Sequence, residues 1–197
     1  MRVIRKSSFT AVRWKNGGGI THEVIRVPPS GDAFRWRVSV AQIDASGPFS
    51  DFADYHRTMV LLRGAGVRLT FDGSEPTVLR KVGDLAQFDG ARSTLCELTD
   101  GPCTDLNLMI SKSMHGVHAW VERLQTPRDL SFHHGTTLVF PISGAVSMHA
   151  LNREFATLEA WDLAVVQSSD AGTVSSAAID PSAASLVFFA TLGDNLP

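Results

Sequence analysis

Leu61-Leu62-Arg63-Gly64, followed by Leu79 and then Gly83-Asp84-Leu85-Ala86-Gln87-Phe88, has a counterpart later in the chain. It is Pro141-Ile142-Ser143-Gly144, Leu158 and Trp161-Asp162-Leu163-Ala164-Val165-Val166. Gly64 to Gly144, Leu79 to Leu158 and Asp84 to Asp162 are offset by 80, 79 and 78 residues. Three anchors drifting by one residue each indicate two copies of one strand-rich unit. In each copy a glycine ends one strand, a short strand and turn lead to an apolar residue, and a Gly/Trp-Asp-Leu turn opens the next strand.

The residues around these anchors alternate with period two, the spacing of a strand with one buried face. Phe34, Trp36, Val38 and Val40 alternate with Arg35, Arg37, Ser39 and Ala41; Val67, Leu69 and Phe71 alternate with Arg68, Thr70 and Asp72. Leu106, Leu108 and Ile110 alternate with Asp105, Asn107 and Met109. Only Val117 to Leu124 reads, briefly, as helix. The class is all-β. Its rhythm resembles the cupin jelly roll, which implies two cupin-like barrels in one chain, a bicupin. The halves are residues 1–112 and 113–197, joined near Ser111 to Arg128. Residues 1–29 precede the first copy and are free to complete a sheet of either half.

Among 197 residues, 44% are hydrophobic and 19% charged, an ordinary globular balance. A formal charge of -2 with scattered Lys and Arg leaves no footprint for nucleic acid or an anionic membrane. The charged N-terminus reads as neither signal peptide nor anchor, and no run reaches the ~20 apolar residues of a membrane helix. A cytoplasmic location is expected, with Cys96 and Cys103 as thiols. The two flank Thr99-Asp100-Gly101-Pro102, so a hairpin facing them across a disulfide is the alternative.

Most cupin enzymes hold a metal through His-x-His, a Glu and a third His, because alternate strand residues share a face. Counting back seven positions from Gly64 places Arg57 where the Glu belongs, with Asp51 and Ala53, or Ser50 and Phe52, at the His positions. The third position falls on Thr94 or Ser93. From Gly144, the Glu position is Thr137, and only His133 of the ligand set remains, beside Ser131. His115 and His118 with Glu122 lack further ligands at zinc spacing. No metal and no cofactor are expected. A guanidinium repels cations and grips carboxylates, so Arg57 converts a cation site into an anion site. The competing reading has Arg57 at a strand start on the surface, paired with Asp51 or Asp54.

Trp14-Lys15-Asn16-Gly17-Gly18-Gly19-Ile20-Thr21-His22-Glu23 packs a triple glycine against several hydrogen-bonding side chains. Asn-Gly is a hairpin signal, and the strand-like Ile20 to Val27 excludes a phosphate loop, which would open a helix. The motif, with Trp36 to Ala41, Gly47-Pro48-Phe49-Ser50, Phe52, Arg57, Gly101-Pro102, Asp105, Asn107 and Met109, resembles the HutD/Ves family over most of residues 10–112. The resemblance implies a bicupin-like protein without an established enzymatic activity, associated in bacteria with histidine utilisation and binding a small pathway metabolite.

Lys15, Asn16, Thr21, Glu23, Arg37, Ser39, Arg57, Asp105 and Asn107 are the candidate ligand-binding residues. Arg57 and Arg37 would clamp a carboxylate, Glu23 would accept from an N–H or imidazolium, and Asn107 and Thr21 would fix orientation. Lys15 and Asn16 would hold the glycine loop over the pocket or against the second barrel. Urocanate, formiminoglutamate and formylglutamate fit that inventory. The expected function is a non-catalytic carboxylate-binding regulator. The alternative is a cupin-type isomerase, hydrolase or dioxygenase acting on a small acid, with His22 or Glu23 as base. A third class, a scaffold using Val139, Val146, Leu163 to Val166 and Leu186 to Phe189, competes with a two-sided core. A homo-oligomer is compatible with the sequence.

Overall fold

The computed structural model describes all residues except 15, 16, 32, 133, 134, 151, 152, 168–175 and 194–197. Its strands, in chain order, are β1 (Arg2–Ile4), β2 (Thr10–Arg13), β3 (Gly19–Val27), β4 (Trp36–Ile43), β5 (Gly47–Pro48), β6 (Tyr55–Arg63), β7 (Val67–Phe71), β8 (Thr77–Leu79), β9 (Leu85–Asp89) and β10 (Thr94–Leu98). They continue with β11 (Cys103–Ser111), β12 (His118–Leu124), β13 (Arg128–Ser131), β14 (Thr136–Ser143), β15 (Val146–Ala150), β16 (Arg153–Leu158), β17 (Leu163–Gln167), β18 (Ser176–Pro181) and β19 (Ser185–Leu192). One 3-10 turn, Lys6–Ser8, is the only helical element among the described residues.

Two compact units result, Phe9–Ser113 and Met1–Ser8 with Met114–Pro197. The first pairs a six-stranded sheet, β2-β3-β4-β11-β6-β9, with a four-stranded sheet, β5-β10-β7-β8. Met59, Leu61 and Phe88 of the one meet Leu69, Phe71 and Cys96 of the other in a shared core. The second unit has the sheets β1-β17-β14-β19-β12 and β13-β18-β15-β16. Of residues 1–29, only the first eight leave the first unit: β1 pairs antiparallel with β17, Val3 against Ala164. Arg5 ties this strand down by an ion pair with Asp162 at 2.7 Å.

The sequence repeat is one turn built twice. Gly64 and Gly144 both have positive φ, at 105° and 75°, where β6 and β14 end. Gly83 N–H donates to Leu61 C=O at 2.8 Å, and Trp161 N–H to Pro141 C=O at 2.7 Å. Both donors have positive φ, 94° and 75°. Glycine reaches that region freely, whereas Trp161 is held there with its indole N–H on Ile142 C=O and Lys6 over its ring. Leu79 and Leu158 are buried in the two cores.

One expectation fails, and so does one alternative. Val117 to Leu124 is not helical: β12 pairs with β19 from His118 to Leu124, and Trp120 stacks on Phe189 at 5.2 Å. A cross-strand aromatic pair on a pleated surface outweighs the brief helical spacing. Cys96 and Cys103 are free, buried thiols, and their strands do not form a hairpin; β10 and β11 belong to different sheets. The runs Leu163 to Val166 and Leu186 to Phe189 are buried throughout, a two-sided core.

The triple glycine closes the β2–β3 hairpin. Gly17 has φ 74°, and Trp14 N–H donates to Gly19 C=O at 3.0 Å. A Cβ on Gly19 would lie 2.2 Å from Gln42 C=O on the neighbouring strand, so only glycine lets β3 and β4 approach here. Gly19→Ala is expected to lower stability by about 1–3 kcal/mol, measured as the urea midpoint. Gly47→Ala, where a Cβ meets nothing within 4 Å, should leave the midpoint nearly unchanged.

Candidate functional site

Register on the six-stranded sheet sorts the polar residues into three rows. Val12, Thr21, Ala41 and Asp105 are successive cross-strand partners. Glu23, Ser39, Asn107 and Met59 form the second row, and Arg37, Met109 and Arg57 the third. Rows two residues apart share a face at a spacing of about 7 Å. This face floors a cavity of about 610 Å³ in the first unit, roofed by Pro48, Phe49, Ser50 and Phe52.

Thr21, Glu23, Arg37, Ser39, Arg57, Asp105 and Asn107 all line that cavity. Lys15 and Asn16 lie outside the described residues, as do His133 and His134. The glycines of the motif do not line it; their hairpin delivers Arg13 and Trp14, whose indole N–H donates to Thr21 Oγ1 at 2.7 Å. Phe49 and Phe52 stand outside the expected site set. Their signal lay in aromatic residues clustered just ahead of Arg57, in a segment that carried the family resemblance.

Arg57 is 6% exposed, which excludes the surface reading. Its guanidinium sits 5.0 Å from the rings of Phe49 and Phe88 and 5.5 Å from that of Phe52. Arg37 lies 5.1 Å from Phe34 and 5.5 Å from Phe52, with its Nη2 on Met109 Sδ at 3.2 Å. Aromatic faces attract the cations without neutralising them. Neither arginine forms an ion pair among the described residues, and the Nε of each is buried without a protein partner there. Burial lowers the pKa of Arg57 to about 10, partly offset by the charge of Asp105, and it stays protonated at neutral pH. Burial likewise lowers that of Arg37, against the attraction of Glu23.

Asp105 is 1% exposed, and neither carboxylate oxygen meets full hydrogen-bond geometry with a donor among the described residues, although the Asn107 side chain is near enough to favour its charged form. Burial pushes its pKa from 3.8 up to about 7, against the pull of Arg57. A carboxyl with a folded-state pKa above its unfolded value contributes stability that is full below about pH 4 and lost as pH rises through 7. Asp105→Asn, which cannot ionise, should reduce the fall in unfolding free energy between pH 5 and pH 8 by roughly 3 kcal/mol, measured by urea unfolding across that range.

The residues do not fit the metal that most cupins hold. Arg57 occupies the position of the carboxylate ligand, and among the described residues no three His, Cys, Asp or Glu side chains gather as a metal set. His118 stacks on Trp120 at 4.9 Å, while Glu122 accepts from Trp120 and Arg128. In the second unit Thr137 is buried on β14 facing Thr191, with no charge at the corresponding position.

Two jelly-roll units, one with a cavity lined by buried Arg57 and half-buried Arg37, define a bicupin. The chain belongs to the HutD family, whose model matches residues 6–184. It is 32% identical over 171 residues to an uncharacterised 21.2 kDa protein of the hutC 3′ region of Pseudomonas putida, covering 86% of this chain and 88% of that protein. Protein Ves of Cronobacter sakazakii is 37% identical over 97 residues, about half of each chain. The structure of HutD from Pseudomonas fluorescens SBW25, in a formate condition, superposes with a TM-score of 0.78 at 30% identity over 98% of this chain and 99% of that one. A conserved protein of Pseudomonas aeruginosa PAO1 gives a TM-score of 0.87 at 30% identity over 98% of both chains. The family carries an association with histidine utilisation.

Proposed function

We propose that this chain is a non-catalytic regulatory protein of histidine utilisation that binds a small carboxylate metabolite, in the cytoplasm. Buried Arg57 and half-buried Arg37, neither in an ion pair among the described residues and both facing one cavity, carry the reading. A bidentate carboxylate supplies the acceptors these guanidinium groups lack. Glu23, one row away, accepts from a ligand N–H, while Ser39 and Asn107 between them orient the molecule. Urocanate, formiminoglutamate and formylglutamate meet this pattern of one or two carboxylates plus a nitrogen.

Binding to the folded state alone raises the melting temperature in proportion to the logarithm of ligand concentration over Kd. A rise with urocanate or a formylated glutamate, absent with an uncharged amide analogue, is the expected outcome of a thermal-shift series. Equal response to charged and uncharged compounds would remove the anion reading. Asp105, with a pKa near neutrality, favours the alternative of an isomerase or hydrolase acting on a small acid. Conversion of any of these compounds in an NMR time course would establish that alternative.

A further inference from the structure

The two unpaired guanidinium groups account for one end of the cavity, but they leave Asp105 without a role. Its carboxyl group sits in the row farthest from Arg37 and Arg57, on the cavity face, with Asn107 between. Both of its oxygens and the Oδ1 of Asn107 are buried and meet no full hydrogen-bond geometry with protein donors among the described residues; the nearby Asn107 side chain gives the carboxyl only a weak interaction. A buried carboxylate against an anionic ligand would add a second negative charge to the same cavity, whereas a carboxylic acid offers an O–H donor and no charge.

We propose that Asp105 binds the ligand in its protonated form, donating its O–H to a ligand oxygen, so that the cavity takes up one proton with each carboxylate metabolite. The inference rests on the carboxylate-binding reading and assigns Asp105 as the residue that sets the total charge the chamber accepts. A ligand must then present acceptor oxygens at both ends, one for the arginine row and one for the acid row. A carboxylate paired with a second carboxylate or a formyl oxygen meets that demand.

The surroundings of Asp105 support a proton held there. Arg57 on β6 lowers its proton affinity, and Arg37 on β4 and Arg13 on β2 are the other cations lining the chamber. Glu23 on β3 is the remaining acid of the lining. Cys103 on the same strand and Cys96 on β10 have thiols pushed up to about 12, so they carry no charge near neutrality. Burial outweighs the cations and brings the Asp105 titration to about pH 7. A change of pH around neutrality therefore changes the charge of this residue directly.

N-formyl-L-glutamate is a suitable probe, because its own carboxyl groups ionise well below neutrality. Its affinity for the wild-type protein, measured by titration calorimetry, should fall about thirty-fold between pH 6 and pH 8.5, as the protonated fraction of a group titrating near 7 declines. Calorimetry at pH 7.5 in buffers of different ionisation enthalpy should register about three quarters of a proton taken up per ligand, since a group titrating near 7 is already about one quarter protonated there. Asp105→Asn keeps an N–H donor and cannot ionise, so it should bind the probe at pH 8.5 nearly as well as the wild type does at pH 6. A pH-independent wild-type affinity, or a slope retained in Asp105→Asn, would overturn the proton coupling and leave carboxylate binding standing. Failure of the probe and of urocanate to bind at any pH would overturn both readings.

Discussion

Arg57→Ala is expected to abolish the rise in melting temperature that carboxylates produce, with little loss in the melting temperature of the unliganded protein. A charge-assisted hydrogen bond contributes about 1.5–3 kcal/mol, and a bidentate clamp makes two. Affinity should therefore drop at least a hundredfold, beyond the range of a thermal shift at millimolar ligand. The unliganded fold does not depend on this charge, since Arg57 is buried at a desolvation cost and forms no ion pair among the described residues. What holds it is contact with Phe49, Phe52 and Phe88. Arg57→Met preserves most of that packing and removes the charge, so it separates binding from folding. A full shift in Arg57→Met would take Arg57 out of the site.

The largest effect on stability is expected in the second unit, at Phe189. Its side chain is fully buried, stacked on Trp120 and packed against the core with Val139, Val166 and Val187. Phe189→Ala should cost about 3–5 kcal/mol, read as a lower urea midpoint, because a core this closely packed does not collapse around the lost ring. Register explains why the side chain is so large. Asn107 pairs with Ser39 and Met59 on the first unit's sheet; Phe189 pairs with Trp120 and Val139 on the second. The positions that border a chamber in one unit are thus filled by aromatic rings in the other. The two copies therefore differ at matching positions: one lines a cavity with polar side chains, and the other packs Trp120, Val139 and Phe189 there.

This division was partly legible in the chain. Alternation and the Gly64/Gly144 and Asp84/Asp162 anchors read directly as two strand-rich units, because a positive-φ turn and its hydrogen bonds demand particular residues at fixed spacing. The polar residues on β3, β4, β6 and β11 were legible because strands set two-residue periods, and their rows converge in register. The strand at Val117 to Leu124 was not, since its identity comes from pairing with β19, about seventy residues away in sequence. Cys96 and Cys103 are the thiols expected, and the hairpin alternative fails for a related reason. A short turn between two strands looks like a hairpin, yet here the chain crosses from one sheet to the other. The aromatic enclosure of the arginines depends on which sheets meet, which no local pattern states.

The central claim is that the first unit's cavity is a carboxylate site built on Arg57. Titration calorimetry of N-formyl-L-glutamate and urocanate into the wild-type protein and Arg57→Met at pH 6.5 tests it most directly. Saturable one-to-one binding of at least one compound to the wild type, and none to the variant, is the expected result. Equal binding to both proteins, or no binding to either, would contradict it.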